Sequence, residues 1–217
     1  METADADIKE TGWRGSHALW LGAAKAAFLA GGVDAVKIQP LASGLDLSRT
    51  SFYWFFKDRA AILDALLADW DATNTQALVD ATDAYAETIP EAILNLLSVF
   101  LDDAAFDSRF DFAMRGWALQ SDAVMARVTA ADERRLAAIR RMFGRFGFTP
   151  AEADVRARTV YLVQIGYISM QAQESLTTRM ARIPAYVKTY SGQMPTDAEL
   201  ARFYARHRFD GDGGQND

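Results

Sequence analysis

An all-α fold is predicted for this chain of 217 residues by three observations. Apolar residues recur at spacings of three and four, alternation of period two is nowhere sustained, and most of the five prolines fall where helices would start or stop. Half of the residues are hydrophobic and 24% are charged, which suits a folded chain of one large or two small domains. The absence of cysteine excludes disulfides and thiolate metal sites. No apolar run approaches the roughly 20 residues that a membrane-spanning helix needs, and Lys25, Asn95 and Gln164 interrupt the best candidates. The opening METADADIKE is acidic where a secretory signal would be basic and then apolar, so a cytoplasmic protein with no membrane role is expected.

Taken in order, Ser16 can cap a first helix that runs to about Ala30, with Leu21, Ala24 and Phe28 on one side and Gly31-Gly32 as its stop. A second helix, Lys37 to Ser43, offers Ile38, Leu41 and Ala42 on one face. Pro40 falls in its first turn, where the missing N–H has no partner to lose. Leu45 and Leu47 then plug the turn beneath a third helix that Ser48 can cap. Along that helix Phe52 and Phe56, four apart, point inward, which leaves Arg49, Thr50 and Tyr53 outward near its start. Two short helices joined by a tight turn, the second rich in outward donors, form the arrangement that seats a helix against base edges and phosphates of DNA.

Beyond this head, Ile62, Leu63, Leu66, Leu67 and Trp70 mark a long amphipathic helix suited to act as a lever. Further helices are expected at about 71–86, 90–104, 107–119, 121–146, 150–178 and 196–207, with Pro90, Gly147, Pro150, Pro184 and Pro195 as punctuation. The division expected is a DNA-binding head at 12–60, a helical body at 61–208, to which the resemblance described below assigns effector binding and dimerisation, and a glycine-rich, polar, disordered tail at 209–217. Charge follows this division. Lys9 against Glu2, Asp5, Asp7 and Glu10 leaves the first ten residues at −3. Residues 11–60 hold Arg14, Lys25, Lys37, Arg49, Lys57 and Arg59 against Asp34, Asp46 and Asp58, for +3. The remaining residues carry −6, equal to the net charge of the whole chain. A positive module on an acidic body fits a protein that docks one end on phosphates.

The stretch AVKIQPLASGLDLSRTSFYWFFKDRAAILDALL resembles the helix-turn-helix and following helix of TetR-type transcriptional regulators. The resemblance lies in Leu41-Ala42, Leu47-Ser48, Phe52-Tyr53-Trp54, Phe56-Lys57 and the leucine-rich start of the next helix, and it covers roughly residues 12–67. The remainder is similar in length, helical character and the placing of two long C-terminal helices. Met114-Arg115-Gly116-Trp117-Ala118 and Asp132 to Arg141 resemble one large subgroup of such regulators. Three positions depart from the family pattern. Asp46 stands where glycine is usual, and aspartate tolerates the left-handed backbone of that turn. Lys37 stands where threonine usually caps, and Phe55 where histidine is frequent.

The resemblance implies a ligand-responsive repressor that binds a palindromic operator as a homodimer. Arg49 would read guanine bidentately and Thr50 a base through its methyl or hydroxyl, while Lys37, Gln39, Ser48, Ser51, Tyr53, Lys57 and Arg59 would hold phosphates. Tyr53 and Trp54 also suit a core, Trp54 more so. Two heads about 34 Å apart are required to span successive major-groove turns. Val155, Thr159, Leu162, Val163, Gly166, Tyr167 and Met170 line one side of a helix near 151–176, which the resemblance pairs with 196–208 as a dimer interface; an intramolecular core is the alternative. Phe110, Met114, Trp117, Met125, Phe143, Tyr161 and Gln164 are expected to line an effector pocket or else to fill a close-packed core.

Other classes of function find less in the sequence. His17 and His207 are the only histidines, no HExxH, nucleophile elbow or phosphate-binding glycine loop occurs, and Asp102, Asp103 and Asp107 read as a solvated face. No enzyme, cofactor or metal site is therefore expected. A helical module that binds only protein or a small molecule would account for the body and leave Arg49, Thr50 and Tyr53 without a task.

Overall fold

The computed structural model describes residues 15–209; the expected disordered tail beyond Phe209 and the first residues of the expected head, 12–14, lie outside them. Among the described residues the regular structure is helical, with no strand. The chain divides between Leu67 and Ala68 into two compact units, a head and a body.

In the head, Ser16 caps α1 (His17–Gly31) by accepting from the Leu19 N–H, and Gly32, at φ 71°, ends it. One 3-10 turn, Val33–Ala35, leads to α2 (Ile38–Gly44), in which Pro40 occupies the first turn as expected. α3 (Arg49–Phe52) is a single turn capped by Ser48, shorter than its apolar spacing suggests, and the chain continues in turns before α4 (Arg59–Trp70). Trp20, Ala24, Phe28, Leu41, Ala42, Phe52, Phe56, Ile62 and Leu66 are buried, and each large one removes enough apolar surface from water to contribute about 1.5–3 kcal/mol.

The body follows α4 directly. A five-residue π-helical turn, Asp71–Thr75, leads into α5 (Gln76–Asp83), then α6 (Ile89–Val99), α7 (Ser108–Ala118) and the long α8 (Asp122–Arg145). α9 (Pro150–Ser169), α10 (Leu176–Ser191) and α11 (Asp197–Arg206) complete it. α6 is buried on nearly all sides because α5, α10 and α11 pack around it, while α8 lies against α5, α7 and α9.

Two expectations are corrected here. The helix expected at 150–178 stops at Ser169, and a separate helix, α10 (Leu176–Ser191), runs through Pro184, which had been expected to mark a break. Proline cannot donate to the carbonyl four residues back, but α10 buries Met180, Ile183, Val187 and Tyr190 along one face, and that apolar face outweighs the lost bond. Within the protomer α10 packs against α9 and α6, and α11 packs on α6.

Charged side chains fill part of the body's interior. Asp111 and Arg135 are both fully buried, and Arg135 Nη1 donates to Asp111 Oδ1 at 3.0 Å. Arg115 bridges Asp111 and Asp132, donating at 2.8 Å to the first and at 2.7 and 2.9 Å to the second. Trp70 Nε1 donates to Asp111, Arg135 Nε to Thr75 Oγ1, and the Arg135 guanidinium lies 4.9 Å from the Trp70 ring. Burial, the strongest influence, pushes the Asp111 carboxyl up; the Arg135 and Arg115 guanidiniums together outweigh it and hold the group below its usual range.

Candidate nucleic-acid interface

The geometry of the head follows from where α3 buries its apolar residues. Phe52 and Phe56 stack at 5.5 Å between ring centroids, and Trp20 of α1 meets Phe52 edge-on at 5.4 Å. With that side fixed, Arg49, Thr50 and Tyr53 face outward, all exposed. Tyr53 keeps its ring edge against Phe52 at 5.4 Å while 49% of its surface stays open. Ser48 Oγ accepts from the Ser51 N–H at 3.2 Å, which satisfies one of the free donors at the helix start.

The turn before α3 carries the departures read from the sequence. Asp46 adopts φ 53°, the left-handed conformation that its side chain tolerates, and Leu47 N–H donates back to the Ala42 carbonyl at 2.9 Å. Gly15 closes on this turn at φ 77°, a conformation that favours glycine, and a Cβ there would meet the end of the Leu47 side chain at 2.9 Å. Lys37 is the residue before α2, with no side-chain capping bond, and it is exposed together with Gln39 and Lys57.

Of the nine side chains expected on DNA, seven are thus exposed: Lys37, Gln39, Ser48, Arg49, Thr50, Tyr53 and Lys57. The other two have structural work. Ser51 is buried and its hydroxyl bonds to that of Ser48 at 3.1 Å. Arg59 donates from Nε to the Val36 carbonyl at 2.6 Å and from Nη2 to that of Val33, tying the start of α4 to the link between α1 and α2. Trp54, favoured for the core by its apolar character, is instead 62% exposed beside Tyr53. Its place after the inward Phe52, out of step with Phe56, was the available signal.

The expected body residues fall into two groups. Phe110, Met114, Phe143 and Tyr161 are buried, Gln164 nearly so, Trp117 is half-buried and Met125 exposed. The Tyr161 hydroxyl donates to Asp132 and accepts from both Arg115 and Arg135. Gln164 borders a narrow cleft with Leu97, Tyr167, Ile183 and Tyr186. Along α9, Val155, Thr159, Leu162 and Met170 are exposed, Val155 by 64%, Leu162 by 58% and Met170 by 81%, whereas Val163, Gly166 and Tyr167 are half-buried. A groove of about 460 Å³ between α9 and α10 continues that strip past Val155, Thr159 and Thr189.

The polar cluster of Asp111 and Arg135 escaped the sequence reading, although a signal for it existed. Arg135 falls in step with Val124, Val128, Ala131, Ala138 and Met142, the apolar face of α8, where a charge must be paired.

Comparisons with known proteins agree with this geometry. The family model of bacterial regulatory proteins, tetR family, matches residues 21–66. Among solved structures, Salmonella enterica GusR superposes with a TM-score of 0.61 at 13% identity, over 87% of this chain and 93% of its own. A Mesorhizobium loti protein assigned to the TetR-family transcriptional regulators superposes with a TM-score of 0.56 at 15% identity, over 88% of this chain and 95% of its own. Both share the fold. No curated protein sequence matches the chain. The head thus matches the tetR family of bacterial regulatory proteins, whose members carry a DNA-binding helix-turn-helix, and the chain shares its fold with these two structures.

Proposed function

We propose that this regulator is a repressor that holds a palindromic operator as a homodimer and releases it when a small apolar or aromatic effector enters the body. The observation that carries the dimer is the exposed strip of α9. Val155, Thr159, Leu162, Gly166 and Met170 recur at steps of three and four on one face, and all of them except the half-buried Gly166 are exposed. A strip so apolar, continued by the groove beside α10, suits a second copy about a twofold axis.

On the DNA side, Arg49 and Thr50 read bases, and Lys37, Gln39, Ser48, Tyr53 and Lys57 hold phosphates. The effector is assigned to the body, where Phe110, Met114, Phe143 and Tyr161 are buried, Trp117 half-buried and Met125 exposed, and where Gln164 borders the narrow cleft with Leu97, Tyr167, Ile183 and Tyr186. Effector binding shifts the population toward a dimer geometry that no longer matches the groove spacing.

Native mass spectrometry of the purified protein tests the reading, since it reports the dimer mass and any retained small molecule together. Arg49→Ala completes the test on a duplex selected from a random pool. Loss of one bidentate guanine contact weakens binding about 10–100-fold and relaxes the choice of base. A monomeric mass, or unchanged selectivity in Arg49→Ala, would contradict it.

A further inference from the structure

Among the titratable side chains of the head that the reading above leaves idle is one histidine. His17 is the first residue of α1 and is exposed. Its imidazole lies 4.5 Å from the Phe56 ring, tilted by 35°. Phe56 is buried, and the exposed Tyr53, Trp54 and Lys57 surround it in sequence. The other end of α3 is reached by Gly15, whose position against Leu47 brings the start of α1 up to the turn that precedes Arg49. Two separate contacts therefore bracket α3 with the first residues of α1, one at each end of the recognition turn. A side chain at that margin is placed for the phosphates that border a major groove, and not for base edges.

The charges near this margin leave room for an anion. In the segment that carries Phe56, Lys57 and Asp58 pair with each other at 3.9 Å, Asp58 also accepts from the Ala61 N–H, and Arg59 is committed to the Val33 and Val36 carbonyls. Beside Leu47 stand Asp46 and Arg49, and the first turn of α1 contains no acidic residue. Among the described residues no carboxylate forms an ion pair with His17.

We propose that His17 is a further phosphate contact of the head, engaged in its protonated form. A neutral imidazole offers one N–H; the protonated ring offers two N–H donors and a full charge, and a charge-assisted bond to phosphate is about twice as strong. Imidazole is the side chain that changes charge between about pH 5 and 8, so DNA binding takes up a proton and tightens as the pH falls. This inference rests on the DNA-binding reading of the head and assigns to it a dependence on acidity that the other seven contacts do not supply.

The experiment compares the full-length protein with His17→Ala and His17→Arg on one duplex recovered by selection and one of random sequence, at pH 6.0 and 8.0 over a range of salt. His207→Gln serves as the control, because His207 bonds to Ser98 in the body. The parent is expected to bind up to about tenfold more tightly per head at pH 6.0, the gain of one charge-assisted bond to phosphate, with a salt slope steeper by about one. His17→Ala loses that gain on both duplexes, His17→Arg binds tightly at both values, and His207→Gln behaves as the parent. Thermal unfolding of each variant shows that the head is intact. If His17→Ala keeps the parent's pH dependence, or if His207→Gln abolishes it, the proposal is overturned. A parent that binds neither duplex at either pH overturns the DNA-binding reading, and the role of His17 with it.

Discussion

Asp46 shows how one side chain sets the terms of a fold. At φ 53° a residue with a Cβ is strained, by about 1–2 kcal/mol for most side chains and by less for aspartate, whose carboxylate can bond locally. Glycine would relieve that strain but lose more freedom on folding, at a cost of about 0.5–1 kcal/mol. The two effects nearly cancel, so Asp46→Gly is expected to unfold in urea within about 1 kcal/mol of the parent and to keep its DNA affinity. Asp46→Val takes on the strain of a branched side chain with no compensation. A loss of about 2 kcal/mol is expected, with weaker DNA binding because Leu47 and the cap of α3 depend on the same turn. If Asp46→Val were as stable as the parent, the left-handed turn would not be a structural requirement. The same close scale separates DNA contacts from supports: Arg59 was read as a phosphate contact from its charge, yet its guanidinium is spent on two backbone carbonyls of the head.

Helices show where the sequence informs and where it stops. α1, α7 and α8 were readable because a capping residue and apolar residues spaced by three and four agree in each, and α2 and α4 from their apolar spacing alone. α10 was not, because proline weighs heavily in any local reading, while the burial of Tyr190 and Val187 that offsets it comes from helices distant in sequence. The outward face of the α3 segment was readable for a related reason. The inward pair Phe52 and Phe56 fixes by simple geometry what must point out, whereas the partners of Arg135 come from Thr75, Asp111 and Tyr161 on three different elements. That cluster joins α7, α8 and α9 and also receives Trp70, the last residue of α4. Arg135→Met is expected to cost about 1–3 kcal/mol, since it removes one of the two guanidiniums that hold the buried Asp111 and leaves that carboxylate to Arg115 and Trp70. The double variant Asp111→Asn, Arg135→Met should recover part of that loss, because no unpaired charge remains, and equal losses in single and double variants would show that the pair is not coupled. The acid limb of stability belongs to the same pair. Asp111 binds a proton less readily when folded than when unfolded, so its contribution is complete above the unfolded value of 3.8 and declines as the pH falls toward its lower folded value. Unfolding followed from pH 5 to 2 should therefore show a loss for the parent that is smaller in the double variant.

A molecule with one head reads one half-site, and the charge distribution explains why that is too little. The positive head meets phosphates while the acidic body gains nothing from them, so a single protomer holds DNA by few contacts and by a term that salt screens. Joining two protomers makes the second contact intramolecular, at an effective concentration in the millimolar range, and raises affinity by about 10²–10⁴ without any new interaction. The exposed strip on α9 is where this gain can be removed without touching the head. Leu162 lies midway along it with 58% of its surface open, so an arginine there is harmless to the isolated protomer. Across a twofold axis the same arginine meets the apolar strip of its partner and its own counterpart, a desolvated like-charge contact. Leu162→Arg is expected to sediment as a protomer, to unfold with the parent's protomer cooperativity, and to bind a selected palindromic duplex about 100-fold or more weakly, with the salt slope roughly halved. Arg49→Ala weakens binding too, yet keeps the dimer mass and loses little of the slope. The two variants thus separate a failure to read DNA from a failure to present two readers. Should Leu162→Arg remain dimeric at full affinity, the α9 strip is not the surface on which this regulator pairs.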